Sequence, residues 1–296
     1  MFPPKFDYYR PDSVDETIDL LDQHQDQDAK ILAGGHSLIP MMKQRLAQPD
    51  ILIDIDRLGS LSGVESAGDR VEIGPLTSHA QLERSSLLQE KAPCLSQAAG
   101  EIGDVQVRNR GTIGGNLAHA DPSSDLPAPF LALGGEVEVR GPEGARTISA
   151  DNFFFGLFTT DLAENELITK LSVPVKNELT DSSYVKKASP SSGYAMIGVA
   201  AVVTLDDGVV QEARFCANGV LNYPCRLTAV EEALVGKTLD HASAEKASES
   251  SGSSLDETQI LSDMQASADY RKSLLQVYTR RAILKLNDLD LEESKP

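Results

Sequence analysis

The spacing of apolar side chains divides the chain into elements before any residue is read for chemistry. Val14, Ile18 and Leu21 recur at helical spacing behind the capping-box pair Ser13 and Glu16, which predicts an amphipathic helix from 13 to about 24. AKILAGG follows as a short apolar strand that runs into Gly34 and Gly35, and Ser37 can cap a second helix to about Leu46, with Met41 and Met42 toward the core. ILIDI at 51–55 reads as a buried strand. Strand, helix and strand after an opening helix predict a small α/β unit.

Strand patterns return at RVEIG (70–74), EVEVR (136–140) and ELITKLSVP (166–174), with helices over SHAQLERS and APCLSQAAGEIG. A glycine- and hydroxyl-rich loop is expected from Arg108 to about Pro127, inside a second and larger α/β unit. Past Pro174, VKNELTDSS is polar and unpatterned and marks a boundary. From Tyr184 the pattern is strand-like through GYAMIGVAAVVTLD and VVQEARFCANGV, and a helix is predicted near 228–235. The low-complexity run HASAEKASESSGSS predicts a solvated helix end and a loop. A last helix places Tyr270, Leu274, Val277, Tyr278 and Leu284 on one face.

Composition narrows the function classes. The 296 residues are 41% apolar, as in an ordinary globular protein, and 27 Lys and Arg against 45 Asp and Glu give a net charge of −18. Such acidity removes the attraction to phosphate backbones and anionic lipid, so neither nucleic acid nor a membrane surface is expected as a partner. No apolar run approaches the roughly 18 residues of a membrane span, and MFPPKFDYYRP lacks a signal-peptide core, so a cytoplasmic location is expected. Cys94, Cys216 and Cys225 form no C-x-x-C pair, and the histidines at 24, 36, 79, 119 and 241 show no ligand spacing. No metal site is expected in this chain.

No G-x-G occurs, which excludes the dinucleotide fingerprint, and no full phosphate-cradling G-x-x-x-x-G-K-[ST] occurs. Two double-glycine loops remain, AGGHSL at 33–38 and TIGGN at 112–116. In the first, a strand ends in glycines just before a helix, which leaves backbone N–H groups unpaired beside a surface that a pyrophosphate can approach; taken alone, the loop reads more readily as a plain tight turn. In the second, RNRGTIGGNLAHADPSSDLP gathers hydroxyl, amide and carboxylate groups that need partners if buried.

Both loops in order, within FDYYRPDSVDETIDLL, AGGHSLIPMMKQRLAQPDILIDI, TIGGNLAHADPSSDLP, YVKKASPSSGYAMIGVAA and YRKSLLQVYTRRAI, resemble the FAD-binding medium subunit of the molybdenum hydroxylases, the xanthine dehydrogenase and aerobic carbon monoxide dehydrogenase family. The resemblance spans nearly the whole chain. It implies an α+β fold: a para-cresol methylhydroxylase-type FAD-binding fold of two α/β subdomains (1–57 and 58–176) and a C-terminal domain of antiparallel strands with helices (177–296). It also implies one noncovalent FAD.

By motif, Lys30, Ile31, Leu32, Ala33, Gly34, Gly35, His36 and Ser37 would run along the pyrophosphate and adjoining ribityl, with Gly111, Thr112, Gly115 and Asn116 facing them. Asp125 would meet adenosine or ribityl hydroxyls, and Ile168 would offer a backbone contact on the flavin side. Lys186 would lie near the pyrimidine end of the flavin, and Tyr194 would shield one flavin face. In related covalent flavin oxidases a histidine placed like His36 bonds the flavin, but those enzymes carry an additional substrate domain. His79 and His119 are expected as loop or helix-capping residues. Pro190 and Ser191 stand where the family tends to an arginine, a departure that bears on the electron acceptor.

The implied function is that of an electron-transfer flavoprotein subunit. A large subunit would carry the molybdenum cofactor and a small subunit two iron–sulfur clusters, in a dimer of heterotrimers. A free-standing flavin reductase or oxidase of the same fold is the alternative.

Overall fold

The computed structural model describes residues 2–175 and 177–286, so the subdomain boundary expected at 176 and the end of the C-terminal domain, 287–296, lie outside the described residues. The chain opens on a strand that the apolar pattern does not reveal, β1 (Asp7–Tyr9). Ser13 then accepts the Glu16 N–H at 3.1 Å while the Glu16 carboxylate accepts the Asp12 N–H at 2.7 Å, and α1 (Val14–Gln23) begins. β2 (Ala29–Leu32), α2 (Leu38–Gln44) and β3 (Ile51–Asp54) complete a parallel sheet in the order β1-β3-β2. All four residues of β3 are buried, as a central parallel strand requires, whereas the polar edge strand DYY shows no alternation to read. Ser37 is helical itself and makes no side-chain cap, contrary to expectation, and only Met42 of the Met41–Met42 pair is buried in the core.

The middle of the chain forms β4 (Val64–Ala67), β5 (Arg70–Ile73), α3 (His79–Arg84), α4 (Ser86–Lys91), α5 (Pro93–Glu101), α6 (Val105–Arg110), α7 (Ile113–His119), α8 (Pro127–Ala132), β6 (Glu136–Gly141), β7 (Gly144–Ser149), the hairpin β8 (Phe154–Gly156) and β9 (Thr159–Thr160), and β10 (Leu167–Pro174). Its antiparallel sheet has the order β4-β5-β10-β6-β7. The segment expected as a loop from Arg108 to Pro127 is corrected here: it includes the end of α6 and the whole of α7. Thr112 caps α7 by accepting the Gly115 N–H at 3.3 Å. Two glycines in a first turn cost about 1 kcal/mol each in helix propensity. Packing overrides that cost, because Gly114 backs onto Pro75 so closely that a Cβ would overlap the proline ring.

β11 (Thr180–Ala188), β12 (Ala195–Asp206), β13 (Val209–Asn218) and β14 (Cys225–Arg226) form a third, antiparallel sheet, followed by α9 (Thr228–Leu234), α10 (His241–Glu249) and α11 (Ala268–Lys285). Successive β12 residues serve opposite cores: Val199 and Ala201 pack with the helices, and Ala200 joins Tyr184 and Cys216 in the core of the middle unit. A sheet covered on both faces explains the unbroken apolar run GYAMIGVAAVV. The low-complexity segment begins as a packed helix, with Ala244 and Ala247 buried in α10, and runs into turns after Glu249, as expected of a helix end and loop. On α11 the buried face is Leu274, Leu275, Tyr278, Ala282, Ile283 and Leu284, whereas Tyr270 and Val277 are exposed, so the face read from sequence is rotated.

Arg271 fastens α11 to the sheet. Its Nη1 donates to the carbonyls of Met196 at 2.6 Å and Gly219 at 2.7 Å, and its Nη2 pairs with Asp263 at 2.6 Å, with the guanidinium buried. Arg271→Met strands two buried carbonyl oxygens and is expected to lower stability by about 3 kcal/mol, read from urea midpoints at unchanged slope.

Candidate functional site

The parallel sheet, the start of α7 and the β11–β12 turn enclose a cleft of ≈ 870 Å³, within the range of small-molecule and cofactor sites. It opens at the carboxyl end of β2, where ligands bind in α/β sheets. There the N–H groups of Gly34, Gly35, His36 and Ser37 donate no hydrogen bond among the described residues. Gly35 turns the chain with φ +73°, and Gly34 lies so close to the second loop that a Cβ would overlap the Arg110 carbonyl oxygen and stand 2.9 Å from the Gly111 Cα. The two loops read separately from the sequence are therefore one wall. The face of Gly115 remains open: outside its own helix backbone, a Cβ there would meet Thr112 Oγ1 at 3.0 Å and Ala33 Cβ at 3.9 Å and no other described residue within 4 Å.

The structure brings fifteen of the sixteen expected site residues to this cleft. Lys30, Ile31, Leu32, Ala33, Gly34, Gly35, His36 and Ser37 line one side, and Gly111, Thr112, Gly115 and Asn116 the other, with Asp125, Ile168 and Tyr194 alongside. The amides of α7 are partly consumed internally, since Ile113 N–H donates to the Thr77 carbonyl at 3.0 Å and Gly114 N–H to that of Pro75 at 2.8 Å. Asn116 Oδ1 accepts from Ser124 Oγ at 2.8 Å, which turns the amide into a fixed donor. Ile168 lies at the start of β10, beside an irregularity in its pairing with β6 that interrupts the ladder next to the cleft. Tyr194 is 46% exposed and stands outside β12, on the cleft wall and not in the core.

Lys186 is the exception. Its side chain is only 1% exposed and does not line the cleft; Nζ donates to Asp125 Oδ2 at 2.8 Å and to the Glu101 carbonyl at 2.8 Å. Lys186 is a buried partner of Asp125, a cleft-lining residue, because a lone ammonium at this depth needs a counter-charge. Tyr184 Oη donates to the other oxygen of Asp125 at 2.7 Å, and Asn218 Nδ2 donates to its backbone carbonyl at 3.1 Å. Burial pushes the Asp125 carboxyl up, while Lys186 and Tyr184 pull it back down. Burial likewise raises Tyr184 well above the phenol range, so it stays a donor.

Sequence reasoning missed Pro75, Leu76, Gly103, Ser124, Ser192 and Gly193 on the cleft wall. It also left His79 without a role in the wall. His79 opens α3 behind Ser78, and its N–H donates to the Gly111 carbonyl at 3.0 Å. No local pattern announces the Ser78–Thr112 bridge that joins these segments. His119 ends α7 and stacks on Phe158 with ring centroids 4.9 Å apart.

The comparisons with known proteins agree with this geometry. Residues 4–176 match the model of the FAD binding domain in molybdopterin dehydrogenase, and 183–286 match that of the CO dehydrogenase flavoprotein C-terminal domain. The chain belongs to this family. It is 38% identical to the carbon monoxide dehydrogenase medium chain of Hydrogenophaga pseudoflava, over 96% of this chain and 97% of that one. It is also 38% identical to the nicotine 6-hydroxylase medium subunit of Paenarthrobacter nicotinovorans, over 95% and 97%. A solved structure of the Hydrogenophaga pseudoflava carbon monoxide dehydrogenase, one lacking the Mo-pyranopterin moiety of the molybdenum cofactor, superimposes with a TM-score of 0.91 at 39% identity, covering 96% of this chain and 97% of that one. The chain is thus an FAD-binding medium subunit of the molybdenum hydroxylase type, in an oxidoreductase family. Among the described residues no helix is long and apolar enough to cross a membrane.

The buried ion pair gives a test with a defined pH dependence. Lys186→Met leaves Asp125 buried without its cation and is expected to cost about 3–5 kcal/mol near neutral pH. The carboxyl then has a folded-state pKa further above its unfolded value. The deficit is therefore small in acid, below the ordinary carboxylate range, and grows as pH rises through the folded pKa. Urea melts of the variant at acid and neutral pH check the trend, and Asp125→Asn added to Lys186→Met should recover most of the loss.

Proposed function

We propose that this chain holds FAD noncovalently in the cleft and acts as the electron-transfer subunit of a molybdenum hydroxylase, receiving electrons from iron–sulfur clusters of a partner subunit and delivering them to an external acceptor. The observation that carries the reading is the paired glycine wall, with its undonated N–H groups at Gly34 to Ser37 and its open face at Gly115. These N–H groups suit pyrophosphate oxygens, and the unobstructed face admits the cofactor chain. Each oxygen of Asp125 accepts one hydrogen bond and keeps a further lone pair for a ribityl or adenosine hydroxyl. Tyr194 covers part of the cleft and excludes water there. Bound FAD supplies the redox chemistry, a carrier able to exchange electrons with one- and two-electron partners; the chain binds it and orients it.

The partners are a large molybdenum-cofactor subunit and a small two-cluster subunit, assembled as a dimer of heterotrimers in the cytoplasm. The chain divides into FAD-binding subdomains at 1–57 and 58–176 and a C-terminal domain at 177–296. Relatives named for carbon monoxide and for nicotine carry medium subunits equally similar to this chain, which fits a substrate chosen in the large subunit.

The test is reconstitution. The isolated flavoprotein should not be reduced by the substrate of its complex and should be reduced rapidly once both partner subunits are added, followed by bleaching of the flavin absorbance. Full reduction of the isolated chain by that substrate would overturn the assignment.

A further inference from the structure

His79 is 3% exposed; its Nδ1 is sealed from solvent without a hydrogen-bond partner, and its Nε2, which is not sealed, has none among the described residues either. A neutral imidazole always carries one N–H donor and one bare acceptor; with Nδ1 sealed off, only Nε2 can meet a partner from outside the protein, and an N–H there makes Nδ1 the bare acceptor. Buried polar groups are satisfied in the great majority of cases, and one left over calls for a partner. The position of the ring indicates where that partner comes from. His79 lines the cleft, and the ring presses on the second glycine loop so that a Cβ on Gly111 would stand 2.7 Å from Nε2. Gly111 in turn touches Gly34, beside the undonated N–H groups of the first loop. Nδ1 is sealed from solvent, which leaves Nε2 as the nitrogen on the cleft side.

We propose that His79 is a cofactor-binding residue, with Nε2–H donating a hydrogen bond to an oxygen of the FAD pyrophosphate or the adjoining ribityl where the two glycine loops meet. The inference rests on the FAD reading above. The hydroxyl and phosphate oxygens of that part of the cofactor are acceptors, which suits a donor nitrogen and not a bare one. Burial, reinforced by the charge of His36, pushes the His79 imidazole down to about 4, so it enters the interaction neutral. Among the described residues His36 is the titratable group that acts on it, and no carboxylate opposes that effect. The cofactor completes the hydrogen bond that Nε2 lacks in the protein alone, and Nδ1 stays the bare acceptor.

This assignment differs from that of a structural core histidine in what substitution does to the protein without cofactor. A core histidine holds the fold, so its replacement lowers stability with or without FAD. An unpaired buried imidazole contributes no hydrogen bond to the apoprotein, and exchange for an apolar side chain of similar size is neutral or stabilising there.

The experiment titrates FAD into the deflavinated full-length chain by flavin fluorescence, for wild type, His79→Leu, His79→Gln and His79→Asn, alongside thermal melts of each apoprotein. Leucine removes the donor, glutamine places an amide near the Nε2 position, and asparagine places one near Nδ1. The expected result is a roughly tenfold or greater loss of affinity for His79→Leu and His79→Asn, recovery to within about threefold for His79→Gln, and an apoprotein melting temperature for His79→Leu no lower than wild type. Wild-type affinity in His79→Leu would overturn the proposal, as would a large fall in its apoprotein melting temperature with FAD affinity retained. If the leucine variant fails to fold, the glutamine and asparagine variants decide, and equal affinities for those two overturn it. Failure of the wild-type chain itself to bind FAD would instead contradict the cofactor reading on which the proposal stands.

Discussion

The close approach of Gly34 to the Arg110 carbonyl is the constraint on which the site depends. A side chain at Gly34 would drive the first loop away from Gly111, and the two walls of the cleft would separate. Gly111 is held from behind by the His79 ring, and Gly114 by Pro75. Three segments far apart in the chain therefore meet at glycines, with no room for a Cβ on Gly34, Gly111 or Gly114. The same closeness leaves the N–H groups of Gly34 to Ser37 without acceptors among the described residues, so what permits the packing also creates the demand for a ligand.

The C-terminal sheet is coupled to this arrangement through Asp125. Tyr184 and Lys186 on β11, together with Asn218 on β13, bind the aspartate from one side while its residue lines the cleft on the other. A buried ion pair is weak as a source of stability but intolerant of losing one member. Here it fixes how the third sheet sits against the cofactor-binding half. Ala200 and Cys216 add apolar packing to the same junction.

Much of the architecture was legible in the sequence because its elements obey one period at a time. The helix cap at Ser13, the apolar strands at 51–55 and 70–74, and the doubly covered strand 195–206 all announce themselves locally. α7 did not, because Thr112, Gly114 and Gly115 look like turn chemistry until Pro75 is placed beneath them. The face of α11 was misread because its buried positions answer to a twisted sheet and to Arg271, which no apolar pattern includes. At the site, contiguous motifs were readable and side-chain partnerships were not. Lys186 reads as a surface or ligand lysine until Asp125, 61 positions earlier, is found against it. His79 carries no motif, and only the geometry of Gly111 and the absence of a partner draw attention to it.

The central claim is that the paired glycine wall selects a cofactor by its pyrophosphate. The most direct measurement is equilibrium titration of the deflavinated full-length chain with FAD, FMN and riboflavin in parallel. The account predicts reversible binding of one FAD per chain, with FMN and riboflavin bound at least about 100-fold more weakly, since neither carries the pyrophosphate that satisfies the N–H groups of the first loop. FMN or riboflavin binding as tightly as FAD would contradict it.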